Sequence, residues 1–334
     1  MCGIAGYVGN RNLSAERLDQ ALDTMRRRGP DSGSWKHWKM SSGRHLCLLH
    51  SRLSIIDLDH RADQPIRSGG TWLSFNGELY NYIEVGDRLR RSGVRFRTSS
   101  DSEVMAAVLD SEGAGGLDGC EGMWSFAAFD EAEEAVLLSR DRFGEKPLHL
   151  YRDTEGLYFA SEIKTLVALI GRRLEPDTDH LLRYMTNSYK SLYKEPHSFF
   201  KGVEELPPAT TLRINADGSE QLGRYWTPEL VQQEDMTVEE AVTGVRDRLL
   251  RGVEIRLRAD VPIAFCMSGG IDSAVCAAIA CEAVGAGNVL GLAMPSRHSS
   301  DHSIEDAKVT AEALGMELQV MVVKISIYFL QDMV

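Results

Sequence analysis

Short apolar runs separated by turn residues fill the first two-thirds of the chain. HLCLLHSRLSIIDL (45–58), GTWLSFNGEL (70–79), SFAAFD (125–130), AVLLSRD (135–141), HLYRD (149–153) and GLYFASE (156–162) carry the aromatic, leucine and β-branched residues of half-buried strands. Short acidic or Gly-containing stretches link SFAAFD to AVLLSRD and HLYRD to GLYFASE, which predicts antiparallel hairpins. Helical spacing recurs near Ser14 to Arg28, Tyr82 to Arg91 and Asp101 to Ser111, so helices are expected to cover the sheets in α+β layers. ELPPATTLRINADGSEQLGRYWTPEL (205–230), with Pro207, Pro208 and a polar Asn-Ala-Asp-Gly-Ser turn, reads as a last hairpin running into a linker.

Beyond it the periodicity changes. Thr237 and Glu240 have capping-box spacing, and Val242, Val245, Leu249, Val253 and Leu257 recur at helical intervals up to Ala259. The continuous apolar run VPIAFCM (261–267) suits a buried parallel strand. Ser273 to Val284 reads as a small-residue helix stopped by Gly285, NVLGLAM as a second strand, Ser303 with Asp306 as the start of a helix ending at Gly315, and ELQVMVV as a third strand. This alternation predicts a parallel α/β sheet with right-handed crossovers.

Length fits this division, because 334 residues exceed one ordinary core and suit about two domains of ~150 residues. The expected boundaries are 1–211 for the first domain, 212–236 for a linker and 237–334 for a second domain that looks truncated. A net charge of -12 disfavours nucleic acid as a partner, and the runs Arg26, Arg27, Arg28 and Arg88, Arg90, Arg91 read as solvated faces. The six cysteines show neither a C-x-x-C pair nor a His partner at zinc-ligand spacing, so no metal is expected. Cys266, Cys276 and Cys281 lie in apolar runs and read as core residues. Reduced thiols without a leader sequence point to the cytoplasm, and the run near Met321 to Leu330 is broken by Lys324, well short of the ~20 residues a membrane span requires.

Two stretches carry candidate chemistry. The first is MCGIAGY at the start of the chain. Once Met1 is removed, the Cys2 thiol and a free α-amine share one residue, with reference pKa values of roughly 8.5 and 7.7–8.0. The amine can then serve as base for its own nucleophile. Asn76 and the backbone N–H of Gly77 can form an oxyanion hole, although Asn-Gly is also a common hairpin turn. Arg52 can fork onto a substrate carboxylate, and Asp101 can hold a substrate ammonium or instead cap the helix that follows it.

The second stretch is MSGGIDSA (267–274), between an apolar strand and a helix, where glycine N–H groups and the Ser268 and Ser273 hydroxyls can meet phosphates at a helix N-terminus. Asp272 can position magnesium, though the Walker pattern is absent and a simple strand-to-helix turn has the same text.

MCGIAGY, RRRGPDSGSW, HSRLSIIDL, FNGELYNY, SSDSE, RDRFGEKPL, FASEIK and GVEELPPAT together resemble the class II glutamine amidotransferase domain of glutamine-hydrolysing asparagine synthetases. MSGGIDSA resembles the pyrophosphatase loop of the synthetase domain in that family. The resemblance implies an N-terminal-nucleophile hydrolase fold of layers α, β, β, α followed by part of an ATP-pyrophosphatase domain. It implies Cys2 as nucleophile and Asn76 and Gly77 as oxyanion hole, with Arg52, Leu53, Ser54, Ile55, Ile56, Glu78 and Asp101 lining a glutamine pocket. It places ATP at Met267, Ser268, Gly269, Gly270, Asp272 and Ser273, with Ala293 and Met294 near the adenine.

The partners implied are glutamine, ATP with Mg2+ and a carboxylate acceptor, aspartate in the family, to which freed ammonia travels through an internal channel. The family allows a homodimer, and no prosthetic group, nucleic acid or membrane is expected. Glutaminase activity alone, or a partner-dependent nucleotide-binding subunit, are the alternatives that a shortened synthetase half leaves open. MPSRHSSDHSIEDAKVTAEALGME (294–317) departs from asparagine synthetase text and is more similar to NAD synthetase, where Ser296, Arg297, Ser299 and Ser300 can cradle phosphate.

Overall fold

The computed structural model describes residues 1–187, 198–230, 236–295 and 301–321, in two compact units, Met1–Glu229 and Leu230–Val334. Ser296, Arg297, Ser299 and Ser300 lie outside the described residues.

In the first unit the strands are β1 (Gly3–Gly9), β2 (Ser32–Lys39), β3 (His45–Arg52), β4 (Ile66–Ser68), β5 (Thr71–Leu79), β6 (Gly122–Asp130), β7 (Ala135–Arg140), β8 (His149–Asp153), β9 (Gly156–Ala160), β10 (Val203–Glu205), β11 (Thr210–Ile214) and β12 (Glu220–Arg224). They form two six-stranded sheets, ordered β10-β8-β9-β1-β3-β2 and β12-β11-β7-β6-β5-β4. Neighbouring strands run antiparallel, including the expected hairpins β6–β7 and β8–β9.

Alternation along the strands builds the layers. Leu46 and Leu48 of β3 join Phe129, Leu138 and Phe159 between the sheets, whereas Cys47 and Leu49 turn outward. There they meet Leu18 and Met25 of α1 (Ala15–Met25). Over the other sheet lie α2 (Tyr82–Arg91) and α3 (Asp101–Glu112), and α3 presses Val104, Met105 and Val108 onto Leu73, Phe75 and Phe126. Leu166 and Leu169 of α4 (Ile163–Ile170) complete the packing around α1. A further helix, α5, spans Thr178–Asn187. Burying each such Leu or Phe contributes about 1.5–3 kcal/mol, so these faces set the register of the strands.

Two expectations change. The strand over 45–58 stops at Arg52, because the Arg52 guanidinium hydrogen-bonds the carbonyls of Ile56, Asp57 and Asp59 and curls the following residues into a loop. Asp57 in that loop takes φ +54, a left-handed conformation that is unusual for a residue with a Cβ. Nor is 212–236 a linker throughout. Thr210–Ile214 pairs with β7 and with Glu220–Arg224, extending the second sheet and covering its β7 edge.

The second unit runs α6 (Val238–Arg256), β13 (Ala264–Cys266), α7 (Ile271–Val284), β14 (Leu290–Ala293), α8 (Asp301–Leu314) and β15 (Glu317–Val320). The expected capping box is present at Thr237 and Glu240. Gly285 and Gly315 follow α7 and α8 with φ of +86 and +69, the left-handed geometry for which glycine is suited. The strands pair in parallel, in the order β13-β14-β15.

The cysteine expectation fails here, for Cys266 and Cys276 are exposed and Cys281 is half-buried. On β13 it is Phe265, on the opposite side of the pleat, that packs on the cluster. On α7 the buried stripe passes through Ala277, Ala280 and Cys281 and leaves Cys276 outside. Among the described residues no helix is long and apolar enough to cross a membrane.

Candidate functional site

Cys2 lies just before β1, and its Sγ exchanges contacts with the Leu53 backbone, accepting from N–H at 3.4 Å and donating to the carbonyl at 3.6 Å. Its own carbonyl accepts from Arg28 Nε at 2.9 Å. Burial pushes the thiol above its ordinary value, against the hydrogen bond from Leu53. Such a sulfur keeps its proton at neutral pH and requires a base. The Met1 α-amine is displaced the other way: burial lowers its ammonium, and Arg28 and Lys146 lower it further, while Cys2 and Glu78 oppose them. The surroundings at this end of the chain thus raise a thiol and lower an amine, the two shifts that a nucleophile and its base require.

A small cleft of about 100 Å³, open to solvent, brings Cys2 together with Arg52, Leu53, Ile55, Ile56, Asn76, Gly77, Glu78 and Asp101. Asn76 is buried on β5, and its Nδ2 makes a long 3.4 Å hydrogen bond to Ser125 Oγ, leaving a second N–H to offer. A Cβ on Gly77 would stand 2.1 Å from the Met123 carbonyl oxygen, so no side chain fits between β5 and β6 there. Asp101 opens α3, but the cap is Ser100, whose hydroxyl accepts from the Ser102 N–H. The Asp101 carboxylate instead accepts from Leu79 N–H at 2.9 Å. Burial is the largest influence on it and raises its pKa to about 6, with Glu78 adding to the rise. Burial also raises Glu78, which Lys146 and the amino terminus counter.

Two expected pocket residues are placed differently. Ser54 is not on the cleft, and its N–H donates to Asp31 at 2.7 Å. The Arg52 fork is already committed: Nη1 donates to the Asp59 carbonyl at 2.9 Å and to Asp63 at 2.8 Å, and Nη2 donates to the Ile56 and Asp57 carbonyls. Arg52 therefore shapes the loop that supplies Leu53 and Ile55. Asp57 ties that loop to the segment before α3, because its carboxylate accepts from Ser99 N–H at 2.8 Å and from the Ser99 hydroxyl at 3.1 Å.

The cleft also contains Gln64, Ser100, Ser102, Met123 and Lys146, which the sequence reading missed. Gln64 Oε1 accepts from Phe75 N–H at 2.6 Å, next to Asn76. The signal for Lys146 was RDRFGEKPL, in which Arg140 and Asp141 are themselves buried. The Asp141 carboxylate accepts from the N–H groups of Trp124 at 3.2 Å and of Phe143, Glu145 and Lys146 at 3.0 Å, folding the turn toward the cleft.

In the second unit the loop between β13 and α7 carries Met267, buried, then Ser268, Gly269 and Gly270. Ser268 N–H donates to Ser273 Oγ at 3.2 Å, and the Ser273 hydroxyl reaches the Gly270 carbonyl at 2.9 Å. Gly270 caps α7 without a side-chain bond, so the N–H groups of its first turn are free of any side-chain acceptor from the cap. Gly269 has φ +78, and a Cβ there would meet the Ser303 carbonyl oxygen at 2.2 Å. Ala293 ends β14 and Met294 follows it, beside the carboxyl end of β13, since Cys266 pairs with Leu292. Asp272 is exposed in the first turn of α7. Among the described residues no group of three or more His, Cys, Asp or Glu is placed to hold a metal ion.

Comparison with known proteins fits this geometry. The asparagine synthetase [glutamine-hydrolyzing] 1 of Bacillus subtilis is 31% identical over 326 residues, which span 95% of this chain and 49% of that protein. The amidase chry2 of Gibberella zeae is 33% identical over 309 residues, 87% of this chain and 44% of its own. The chain thus spans about half the length of the curated relatives it matches. Among solved structures, the B. subtilis glutamine phosphoribosylpyrophosphate amidotransferase complexed with ADP and GMP has a TM-score of 0.50 at 17% identity, over 100% of this chain and 70% of that one. The likeness is one of fold. An NAD synthase family model matches residues 257–333, which include the MPSRHSSDHSIEDAKVTAEALGME stretch. The glutamine amidotransferase domain model matches residues 1–226, and the chain belongs to that family.

Proposed function

We propose that the first unit hydrolyses glutamine to glutamate and ammonia, and that the ammonia serves ATP-dependent amidation of a carboxylate. The observation that carries the reading is one cleft in which a proton-retaining thiol, a buried amide donor and two carboxylates converge. With Met1 removed, the Cys2 amine takes the thiol proton and Sγ attacks the side-chain carbonyl carbon of glutamine. The developing oxyanion accepts hydrogen bonds from Asn76 Nδ2 and Gly77 N–H. The amine then passes its proton to the leaving nitrogen, ammonia departs, and water hydrolyses the γ-glutamyl thioester to free the sulfur. Asp101 and Glu78 hold the substrate ammonium, while Arg52 supplies the shape of the loop and positive charge behind it.

For the second half of the reaction, the uncapped start of α7 and the crowded Gly269 favour backbone binding of a triphosphate, with the Ser268 and Ser273 hydroxyls as further donors and Asp272 reaching the magnesium of the nucleotide. ATP activates the acceptor carboxylate for attack by ammonia. Relatives named asparagine synthetase support aspartate as the acceptor, and free cysteines throughout support the cytoplasm as the compartment.

The test is ammonia release from glutamine by the full chain and by Cys2→Ala. Loss of more than about 10³-fold is expected, as for removal of a nucleophile that works with its base as one unit. Undiminished release by the alanine variant ends the thiol mechanism.

A further inference from the structure

Lys146 is not explained by what surrounds it. Its side chain is 6% exposed, and an ammonium withdrawn from water is costly unless a partner compensates it. Among the described residues its Nζ has no salt bridge, and its hydrogen bond is to the weakly accepting thioether of Met1, at 3.6 Å. The backbone of the same residue is pinned twice, by N–H donation to Asp141 at 3.0 Å and by acceptance from Arg140 Nε at 2.8 Å. Two buried charged residues thus hold a buried cation, without a salt bridge among the described residues, against the first residue of the chain.

The groups facing the Met1 amine, one residue from the amine that processing would expose, are Cys2, Arg28 beyond α1, Glu78 on β5 and Lys146 in the β7–β8 turn. Those facing Lys146 are Glu78, Glu145, Arg28 and Asp141. Removal of Met1 takes away the thioether and leaves the lysine and the Cys2 amine in one cleft. Two ammonium ions so placed repel, and the weaker base yields its proton first. The lysine begins from a reference value of about 10.4 against about 8 for the α-amine, so the amine is the first of the two to give up its proton. Glu78 and Glu145 help it do so against the lowering by burial.

Resting on the glutaminase reading, we propose that Lys146 is a positioning residue for that step: its ammonium confronts the Cys2 amine and favours the neutral form that takes the thiol proton.

The experiment is the pH profile of kcat/KM for ammonia release by the full, processed chain, by Lys146→Met and by Lys146→Arg. The neutral variant should move the acid limb to higher pH, losing about tenfold more activity at pH 6.5 than at pH 9 for each unit of displacement. The arginine variant should retain the wild-type limb. Lys146→Gln gives the same reading if the methionine variant does not fold. An unmoved limb in the neutral variants, or an arginine variant as displaced as they are, overturns the proposal while leaving the glutaminase intact. A wild type that releases no ammonia from glutamine overturns the glutaminase reading itself.

Discussion

The two candidate sites are built from different materials. The cleft of the first unit depends on buried side chains: Asn76, Asp101, Asp141 and Lys146 are each at least nine-tenths buried, and the first three hydrogen-bond residues of strands distant in sequence. The cores of this unit hold large enclosed aromatic residues, among them Trp124 and Phe75 in one cluster, Phe159 in a second and Tyr7 in a third. The loop of the second unit depends on backbone and hydroxyls that bond one another within six residues, over a cluster dominated by alanine and methionine. A buried carboxylate or amide is fixed before substrate arrives, so its contribution is electrostatic preorganisation. A glycine loop instead offers N–H groups to a ligand that brings its own charge. Substitutions should therefore damage the first site by deleting a polar atom and the second by adding a carbon atom.

The largest expected effect tests the first half of that contrast. On the proposed mechanism Asn76→Ala removes one oxyanion donor from a buried position and should lower kcat for glutamine hydrolysis by about 10²–10³-fold with a much smaller change in KM. Nucleotide binding to the second unit, followed calorimetrically, should be unaffected. If kcat changes less than about threefold, the donor to the oxyanion is some other group, and the Asn76–Ser125 bond is the residue's whole role.

Much of the first site was legible because its chemistry is concentrated in short contiguous stretches. Cys2, the Asn76-Gly77 pair and Asp101 each stood out from neighbouring residues, and the alternation of the strands that carry them was plain. What could not be read was contact across sequence. Arg52 looked like a substrate fork because its partners, the carbonyls of 56, 57 and 59 and Asp63, come into reach only when the chain turns back after β3. Lys146 was hidden for the same reason, since Asp141 draws its turn onto β6 through the Trp124 N–H. In the second unit the helix stops at Gly285 and Gly315 were legible. The faces were not, because Phe265 and Cys266 are both apolar and only the packing of the cluster decides which one is covered.

The next effect tests the second half. Gly269→Ala forces a Cβ onto a left-handed residue 2.2 Å from the Ser303 carbonyl oxygen. The backbone conformation alone costs about 1–2 kcal/mol for a residue with a side chain, and relief of the clash must distort the loop. Affinity for ATP with magnesium should fall by about ten- to thirtyfold, while ammonia release from glutamine stays at the wild-type rate. Unaltered ATP affinity would mean that the loop is a strand-to-helix turn and that the two regions do not differ in the way described.

The smallest effect reads the preorganised carboxylate through protons. Burial, with Glu78 adding to it, raises the pKa of Asp101 to about 6, so the group is ionised at pH 8 and largely neutral at pH 5. The ionised form is the one that attracts the ammonium of glutamine, and binding should therefore weaken as the pH falls, by up to about tenfold per unit once below that value. On the proposed mechanism chemistry also depends on the Cys2 amine, which confuses rates measured over the same range. Equilibrium binding of glutamine to Cys2→Ala avoids this, because that variant binds without turning over. Its affinity should be flat from pH 7 to 8 and fall between pH 6.5 and 5, whereas Cys2→Ala combined with Asp101→Asn should bind weakly at every pH. A midpoint near pH 4, the ordinary carboxylate range, would show that water reaches Asp101 in solution and that the first site is less enclosed than its geometry implies; the contrast with the exposed loop of the second unit would narrow accordingly.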